Sequence, residues 1–471
     1  MQSVMDFNAT SAYALPPLPA WELKPLPPLV PWISDKHLTL LLPIVAYWAV
    51  SMVFHVIDVY DLFPEYRLHT PAELLQRNHV SRWDVFRDVI VQQIIQTIFG
   101  IVMTTLEPAD TYGKEAYDVT VWAQRVRLAQ RALPALLSFI GVDAGEAAKR
   151  IAGSHPMIAG ALQGGLYPGL LASNGAGHVA PAFADWEMLV AQIIYHVVVP
   201  FLQFALGVLI VDTWQYFWHR GMHMNKWMYN KFHSRHHRLY VPYAYGALYN
   251  HPVEGFLLDT LGTGVAYMVA GMTTRQSMWF FTCSTIKTVD DHCGYALPWD
   301  PLQHLTSNNA AYHDIHHQSW GIKTNFSQPF LTFWDRFLGT MWSGGDVSLR
   351  YARTRLAAEA KSVAVGTPSD TQTAGPYEQP SLEDIADQAS LKPSIPAGKP
   401  TAQAVASRNQ VLEQPEGAAV VAEETAEEVQ LRRSPRKRTP PANVHSGSLK
   451  GLKHRVSGSL PNGVPRVDSR R

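Results

Sequence analysis

The stretch HRGMHMNKWMYNKFHSRHH, residues 219–237, carries five histidines, and the stretch NNAAYHDIHH, residues 308–317, carries three more. With three others, they make eleven of the chain's twenty histidines fall between residues 219 and 317. Most of the histidines in each stretch are three or four residues apart, which places side chains on one helix face with Cβ atoms roughly 5–6 Å apart. The sequence therefore directs several imidazoles toward common points.

These eight histidines are too many for a single metal ion. Neutral imidazole is a ligand for zinc, copper, iron and nickel, and a closed zinc site takes four ligands. The pattern therefore favours a centre with two metal ions. A solvated basic face or a nucleic-acid surface would explain the charges of Lys231–Arg238. It would leave the repeated spacing unexplained, so we predict no nucleic-acid partner.

Composition divides the chain into two unlike parts. The mean hydropathy of −0.08 averages residues 37–342, rich in aromatic residues, Leu and Val, with a polar region rich in Ala, Ser, Pro, Glu and Arg. Residues 351–471 bury too little apolar surface to offset the entropy of ordering, and we predict a disordered tail there. Residues 1–36 form a Pro-rich N-terminal segment, and the two cysteines are too few for a disulfide framework.

Residues 37–211 are predicted to contain three transmembrane helices. Three stretches in this region approach or exceed the roughly 20 apolar residues with which a helix crosses a bilayer. They are Leu38–Ile57, Val85–Leu106 and Met188–Val211. Residues 107–185 are predicted as a lumenal insertion, in which Val119–Ile140 favours an amphipathic helix on the membrane surface.

The distribution of lysine and arginine near the span ends predicts the orientation in the membrane. Residues 173–186, before the third span, contain neither. Five follow that span, namely Arg220, Lys226, Lys231, Arg235 and Arg238. We therefore expect the histidine boxes and the C-terminal tail in the cytosol and the N-terminus in the lumen.

A helical membrane hairpin is predicted between the second and third boxes. Residues 255–289 are largely apolar, yet both boxes must lie on one side of the membrane to share a centre. The polar stretch Thr273–Gln276 divides this segment into halves near or below the length of a span. A partly inserted hairpin, two tilted spans and a buried hairpin of a soluble domain stay open. Residues 212–342 then form a cytosol-facing, histidine-rich domain of an all-α, multi-span integral membrane protein.

The boxes His-x-x-x-His, His-x-x-His-His and His-x-x-His-His, placed after apolar spans, resemble a known family. Over roughly residues 40–342 the chain resembles the fatty acid hydroxylase and sterol desaturase superfamily of membrane di-iron oxygenases. Within it, KTVDDHCGY at 287–295 and the stretch 308–317 look most like the sphinganine C4-hydroxylases. The resemblance implies two non-haem iron ions. By position, the matching ligands are His219, His223, His233, His236, His237, His292, His313, His316 and His317.

Five further residues are candidates for orienting these ligands through hydrogen bonds. They are His251, Glu254, Asp290, Asp291 and His304. For the two histidines, direct ligation and an ordinary structural role also stay open. For the three acids, the alternative is a solvated loop position.

The resemblance implies hydroxylation of carbon 4 of sphinganine or dihydroceramide in the endoplasmic reticulum membrane. Dioxygen requires two electrons per turnover, and the chain has no His-Pro-Gly-Gly haem-binding segment. The family therefore implies electrons from NAD(P)H, delivered by cytochrome b5 and its reductase. The choice between the free long-chain base and the ceramide stays open. So does oxidation of a C4-methylsterol or a fatty acyl chain.

Two other functional classes fit the sequence less well. A zinc hydrolase normally has a carboxylate base, as in His-Glu-x-x-His, and no such motif occurs. A metal transporter or a non-catalytic metal-binding membrane protein would place its ionisable groups inside the spans. Here the boxes flank the spans.

Overall fold

The computed structural model describes residues 14–167, 170–173 and 179–366, and these are mostly helical. The predicted all-α class is therefore confirmed. Two short antiparallel pairs join β1 (Lys24–Pro25) to β2 (Thr111–Tyr112) and β3 (Leu171–Ser173) to β4 (Val179–Pro181). The α-helices are α1 (Asp35–Val59), α2 (Pro71–Arg77), α3 (Arg82–Leu106), α4 (Glu115–Gln130), α5 (Leu133–Phe139), α6 (Ala144–Ile151), α7 (Pro156–Leu162), α8 (Asp185–Ile193), α9 (Val199–Met224), α10 (Lys226–Lys231), α11 (Pro252–Gly255), α12 (Gly262–Ala270), α13 (Thr274–Asp291), α14 (Leu302–Leu305), α15 (Ala310–His317), α16 (Phe333–Leu338) and α17 (Ser348–Gly366).

Three helical segments are long and apolar enough to cross a bilayer. They are α1, α3 and the continuous segment Asp185–Met224, in which a π-helical turn joins α8 to α9. The first two have 25 residues and the third has 40, against the roughly 20 that a bilayer core requires. The side chains of Ser34 and Ser81 cap the first two helices. Large apolar side chains such as Val53 and Phe201 face outward, as in a helix that contacts lipid.

The insertion at residues 107–185 packs against the third span. Val119 and Ala123 of α4 form a small buried cluster with Ala191 of α8. Helices α5, α6 and α7 follow, and then the β3–β4 pair. The insertion is therefore built onto the start of the third span.

The prediction of one amphipathic helix over Val119–Ile140 is wrong. Helix α4 ends at Gln130, and α5 begins at Leu133. Pro134 explains the break, because it has no N–H to donate to the Gln130 carbonyl, whereas its ring fits the first turn of a new helix.

Residues 252–291 form two helical arms joined by a turn. The first arm consists of α11, a π-helical turn at Phe256–Leu261 and α12, and the second arm is α13. Gly271, with φ of 63°, ends the first arm, and the Thr273 side chain caps the second. The break thus lies at the edge of the polar stretch that the sequence indicates. Insertion of the hairpin into the membrane stays a prediction.

Helices α1, α9 and α13 hold the histidine-bearing segments in place. Helix α13 packs along α1, and the Tyr47 hydroxyl of α1 donates to the Tyr245 carbonyl at 2.7 Å. The buried Asp212 carboxylate of α9 accepts from the backbone N–H groups of Phe330 at 3.0 Å and Leu331 at 2.8 Å. These contacts fix the chain after α15 against α9. The His219 and His316 rings, from the first and third boxes, therefore meet with centroids 4.4 Å apart.

Helix α17 extends the ordered structure beyond residue 351, where the sequence predicts the disordered tail to begin. The Tyr351 hydroxyl donates to Asp314 at 2.5 Å, and the Thr354 hydroxyl donates to Glu73 at 2.9 Å. The predicted boundary is wrong because these side chains have specific polar partners on α15 and α2. The rest of the predicted tail, 367–471, and residues 1–13 of the N-terminal segment lie outside the described residues.

Candidate metal centre

The nine histidines predicted as ligands meet in two groups. Within each group, one candidate ligand atom from every member lies within 4.8 Å of those of the others. Group one is His219, His223, His233, His237 and His316. Group two is His236, His292, His313 and His317. All nine are buried, each at most 8% exposed.

The sequence boxes and the spatial groups do not correspond one to one. The first box, on the last turns of α9, serves group one alone. The second box forms a 3₁₀ turn, His233–Arg238, instead of an α-helix. Side chains three residues apart eclipse in such a turn, and the His233 and His236 rings stack with centroids 5.6 Å apart. The stacked rings belong to different groups, as do His316 and His317 of the third box.

Imidazole nitrogens face each other inside each group. In group one, Nε2 of His233 lies 2.6 Å from Nε2 of His223 and 3.0 Å from Nε2 of His237. In group two, Nε2 of His313 lies 3.0 Å from Nε2 of both His292 and His317. Electron-rich nitrogens converging in a dry interior are the arrangement that a bound cation stabilises.

The outer ring nitrogens fix how these imidazoles present their lone pairs. Nδ1 of His219 donates to the Phe326 carbonyl at 2.8 Å, and Nδ1 of His316 donates to the Thr324 carbonyl at 2.7 Å. His317, His292 and His236 use backbone carbonyls in the same way. Because a carbonyl only accepts, Nδ1 carries the hydrogen and Nε2 keeps its lone pair toward the group. This is the usual support of metal-bound histidine.

The charge state of the buried rings also fits a metal. Burial lowers the pKa of His233 to about 3 and that of His236 to about 4. Both rings are therefore neutral at physiological pH, as a ligand must be. Nε2 of His316 is buried without a hydrogen-bond partner among the described residues. That unpaired atom has a partner if a cation occupies group one, so the residues present fit two ions with nitrogen ligands.

Of the candidate orienting residues, Glu254 contacts a member of the groups. Its Oε1 accepts a short hydrogen bond from Nδ1 of His233. A carboxylate bonded to the outer nitrogen makes an imidazole a stronger ligand. Burial raises the pKa of Glu254 to about 7, against the opposing effect of the nearby His236.

The other four candidates have hydrogen-bond partners outside both groups. Asp291 pairs with Lys287, and Asp290 accepts from Gln303 at 2.6 Å. Nδ1 of His251 accepts from the Val253 N–H at the start of α11, and Nε2 of the exposed His304 donates to the Pro298 carbonyl. Asp291 nonetheless lines the space beside the histidines. For the other three, these partners indicate roles in capping and folding.

Sequence reasoning missed His69, which lies in the segment between the first two spans. Nε2 of His69 contacts the Asp314 carboxylate at 3.0 Å, and Nδ1 contacts Glu73 at 3.1 Å. Burial opposes its charge, but Asp314 and Glu73 outweigh that effect and raise the pKa of His69 to about 9. His69 thus ties the segment before α3 to the helix of the third box. A single histidine far along the chain gives no spacing signal, although Thr70-Pro-Ala-Glu73 is readable as a helix start.

Two adjacent spaces lie beside the histidine groups. The polar chamber, about 30 Å³, is lined by His219, His233, His236, Asn250, Glu254 and Asp291, among others. The apolar cavity, about 240 Å³, extends among α1, α3, α9, α12 and α13 and is lined by residues such as Leu40, Ile44, Phe99, Val265 and Phe281. The two spaces share Gln215, Asp259, Thr288 and Pro329. The histidines therefore lie at one end of an apolar space at the depth of the membrane spans.

Several known proteins are similar to this chain. The family model described as fatty acid hydroxylase matches residues 204–340. The chain is 46% identical to the sphingolipid C4-hydroxylase of Saccharomyces cerevisiae, over 69% of this chain and 77% of that protein. It is 37% identical to sphinganine C4-monooxygenase 1 of Arabidopsis thaliana, over 65% and 88%, respectively. It is 35% identical to a very-long-chain aldehyde decarbonylase of Oryza sativa, over 66% and 92%. No solved structure matches.

Proposed function

This chain belongs to the fatty acid hydroxylase family, and from that premise we propose that it hydroxylates carbon 4 of a sphingoid long-chain base. The product would be a phytosphingosine-type lipid. The match to this chain covers most of the length of the relatives that are named for this reaction. The single observation that carries the proposal is the position of the two histidine groups at one end of an apolar cavity.

The metal in this proposal is iron, with one ion held by group one and the other by group two. Imidazole is a suitable ligand for iron, as it is for zinc and copper. Two iron ions with dioxygen would supply the oxidising power that an unactivated methylene requires, which no protein side chain has. The co-substrates would be dioxygen and two electrons from NAD(P)H. We propose that cytochrome b5 and its reductase deliver those electrons.

The side chains of the chain itself position and protect the reacting carbon. The apolar cavity accepts a hydrocarbon tail and excludes water, so the tail direction fixes which carbon lies beside the histidines. The backbone carbonyls of Phe326 and Thr324 hold the proton of His219 and of His316 on Nδ1. Glu254 holds the His233 ring in the same way. The reacting carbon would therefore lie beside imidazole nitrogens whose orientation these hydrogen bonds fix.

The proposed location is the endoplasmic reticulum membrane, with the histidine groups and the tail on the cytosolic side. The excess of lysine and arginine after the third span supports this orientation. A cytosolic centre is also reachable by a cytosolic electron donor. Protease digestion of sealed microsomes should remove an epitope at residue 471, and a protected epitope would reverse the orientation.

The test is lipid mass spectrometry of cells that lack their own sphinganine hydroxylase. Expression of this chain should produce 4-hydroxysphinganine. His316→Ala removes the nitrogen that has no partner in group one, and it should lower product by more than about 100-fold, beyond the effect of losing an orienting residue. His304→Ala is the matched control, because His304 is exposed and outside both groups.

Each outcome separates the proposal from its rivals. Product with wild type and His304→Ala but not with His316→Ala supports it. No product at normal expression, with the electron donors present, contradicts it and favours a C4-methylsterol or fatty acyl substrate. Iron measured in the purified chain separates an oxygenase from a zinc protein. Metal without any oxygen-dependent product would indicate a non-catalytic metal-binding protein.

A further inference from the structure

The junction between the apolar cavity and the polar chamber is lined mainly by polar side chains. Four residues line both spaces, and they are Gln215, Asp259, Thr288 and Pro329. On one side of them lie histidines of both groups, and on the other side lies mostly apolar surface. A molecule whose tail fills the cavity and whose reacting carbon lies beside the histidines must pass these four residues.

A π-helical turn brings Asp259 to this junction. Residues five apart do not share a face of an α-helix, where the spacing is three or four. The π-helical segment Phe256–Leu261 has i to i+5 hydrogen bonds. As a result Asp259 and Glu254 both face the polar chamber. Such turns recur at functional sites.

Asp259 differs from the two neighbouring carboxylates because neither a histidine nor a lysine of the described residues pairs with it. Glu254 bonds to His233, and Asp291 pairs with Lys287. Among the described residues, the Asp259 carboxylate has one hydrogen bond, from the Asn250 amide at 3.3 Å. A half-buried carboxylate with so little compensation is costly unless a charged group joins it.

Gln215 gives a second, independent indication at the same place. Gln215 is 6% exposed, and it lines both spaces. Within the ranges that the structure describes, this amide has no hydrogen-bond partner. Buried polar groups are nearly always paired. An amide that both donates and accepts is therefore available to a hydroxyl-bearing ligand at the junction.

We propose that Asp259 and Gln215 bind the head group of a free long-chain base, with the carboxylate of Asp259 on the 2-ammonium group and the amide of Gln215 on a neighbouring hydroxyl. This inference rests on the proposed function. The amine is on carbon 2, two bonds from carbon 4, so a group that recognises it must lie beside the histidines. The junction satisfies that condition.

The same geometry favours the free base over the ceramide. Acylation of the amine removes the positive charge that Asp259 would compensate, and it adds a second chain at carbon 2. The polar chamber is the smaller of the two spaces, at about 30 Å³ against about 240 Å³ for the apolar cavity, which disfavours a second chain there. Asp259 is thus a specificity-determining residue.

The test compares sphinganine with N-acetylsphinganine, which keeps both hydroxyls and the tail but has no ammonium group. In detergent-solubilised holoenzyme, we measure the KM for sphinganine and the inhibition constant of N-acetylsphinganine as a competitor, which needs no turnover of the analogue. In wild type, the KM for sphinganine should be lower than the inhibition constant of N-acetylsphinganine by about tenfold or more. That difference is the usual effect of a hydrogen bond to a charged group. Asp259→Asn should raise the KM for sphinganine to near the inhibition constant of N-acetylsphinganine, which closes the gap between the two constants. It should leave kcat within about twofold of wild type, since the amide keeps the shape of the carboxylate but not its charge.

The control variant is Glu359→Gln, the same chemical change at an exposed position of α17, which should preserve the gap. Iron content and membrane level of each variant check that the protein is folded and loaded. A gap absent in wild type, or unchanged in Asp259→Asn, overturns the inference about Asp259. Failure of wild type to make 4-hydroxysphinganine at all overturns the proposed function instead, so the two failures are distinguishable.

Discussion

The metal centre and the insertion at residues 107–185 both bury polar side chains, but they satisfy them in opposite ways. In the insertion, Arg127 donates to both oxygens of Glu187, and Gln130 donates to the same carboxylate at 2.6 Å. Tyr167 completes the cluster by donating to Gln130 at 2.7 Å. In the candidate metal centre, acceptor nitrogens face other acceptor nitrogens, and Nε2 of His316 has no partner within the part of the chain that the structure describes.

This difference separates a structural cluster from a functional one. Burying a polar group without a partner costs free energy, so a cluster that serves only the fold ends with its donors and acceptors matched. A cluster that remains unmatched within the protein indicates a ligand from outside. By this criterion the Arg127–Glu187 cluster stabilises the insertion, whereas the histidine groups and the Asp259 junction are the sites for which we propose a ligand.

The largest effect that would sharpen this comparison is expected in the insertion. Arg127→Met leaves the Glu187 carboxylate buried without its cation, and removal of one partner of a buried pair costs about 3–5 kcal/mol. The midpoint of thermal unfolding in detergent should fall sharply. The product formed per folded molecule should stay near that of wild type, because Arg127 is in the insertion.

A second substitution checks the cause. Arg127→Met together with Glu187→Leu removes both charges, and it should recover much of the lost stability, since an apolar pair of similar volume is often neutral. If the double variant is no more stable than Arg127→Met, the ion pair is not the source of the loss. If Arg127→Met abolishes activity per folded molecule, the insertion takes part in the reaction and the comparison fails.

The sequence predicts much of this arrangement because the relevant signals are local. Three apolar stretches predict the three spans, and histidine spacing predicts which residues meet. Spacing does not predict to which group each histidine ring belongs. His233 and His236 lie in different groups because they are part of a 3₁₀ turn, which the residues alone do not predict. Spacing also misses His69 and Tyr351, whose partner, Asp314, is more than thirty positions from either along the chain. Such contacts depend on tertiary packing, not on periodicity.

The His69 network is an intermediate case, because its own donors and acceptors are matched and yet it contacts the helix that carries the third histidine box. Its pKa of about 9, against about 6.5 in an unfolded chain, means that the charged form is stabilised by folding. That stability is fully present below pH 6.5 and is lost as the pH rises through 9. From pH 6.5 to 9, the loss should reach about 3 kcal/mol, at 1.36 kcal/mol per pKa unit.

The measurement is the free energy of unfolding of wild type and His69→Gln at pH 6.5 and pH 9. The glutamine variant has no titrating group at this position, so its stability should change less over that interval. Equal pH dependence in the two proteins would show that His69 is not charged in the folded state. Glu73, whose pKa is lowered to about 2 by His69 despite burial, is ionised throughout and adds no slope there.

The smallest expected effect concerns Glu254, a carboxylate with one oxygen hydrogen-bonded to a histidine of group one and the other oxygen without a partner among the described residues. Glu254→Gln keeps the shape and removes the charge that strengthens the His233 ligand, which should reduce iron affinity or activity by about 10–100-fold. The unfolding midpoint of the metal-free protein should change little. The measurement is the iron content of each variant as a function of free iron concentration, with the exposed Glu359→Gln variant as the control. It decides whether Glu254 supports iron binding or only the fold. If iron affinity is unchanged while stability falls, Glu254 belongs with the matched structural clusters.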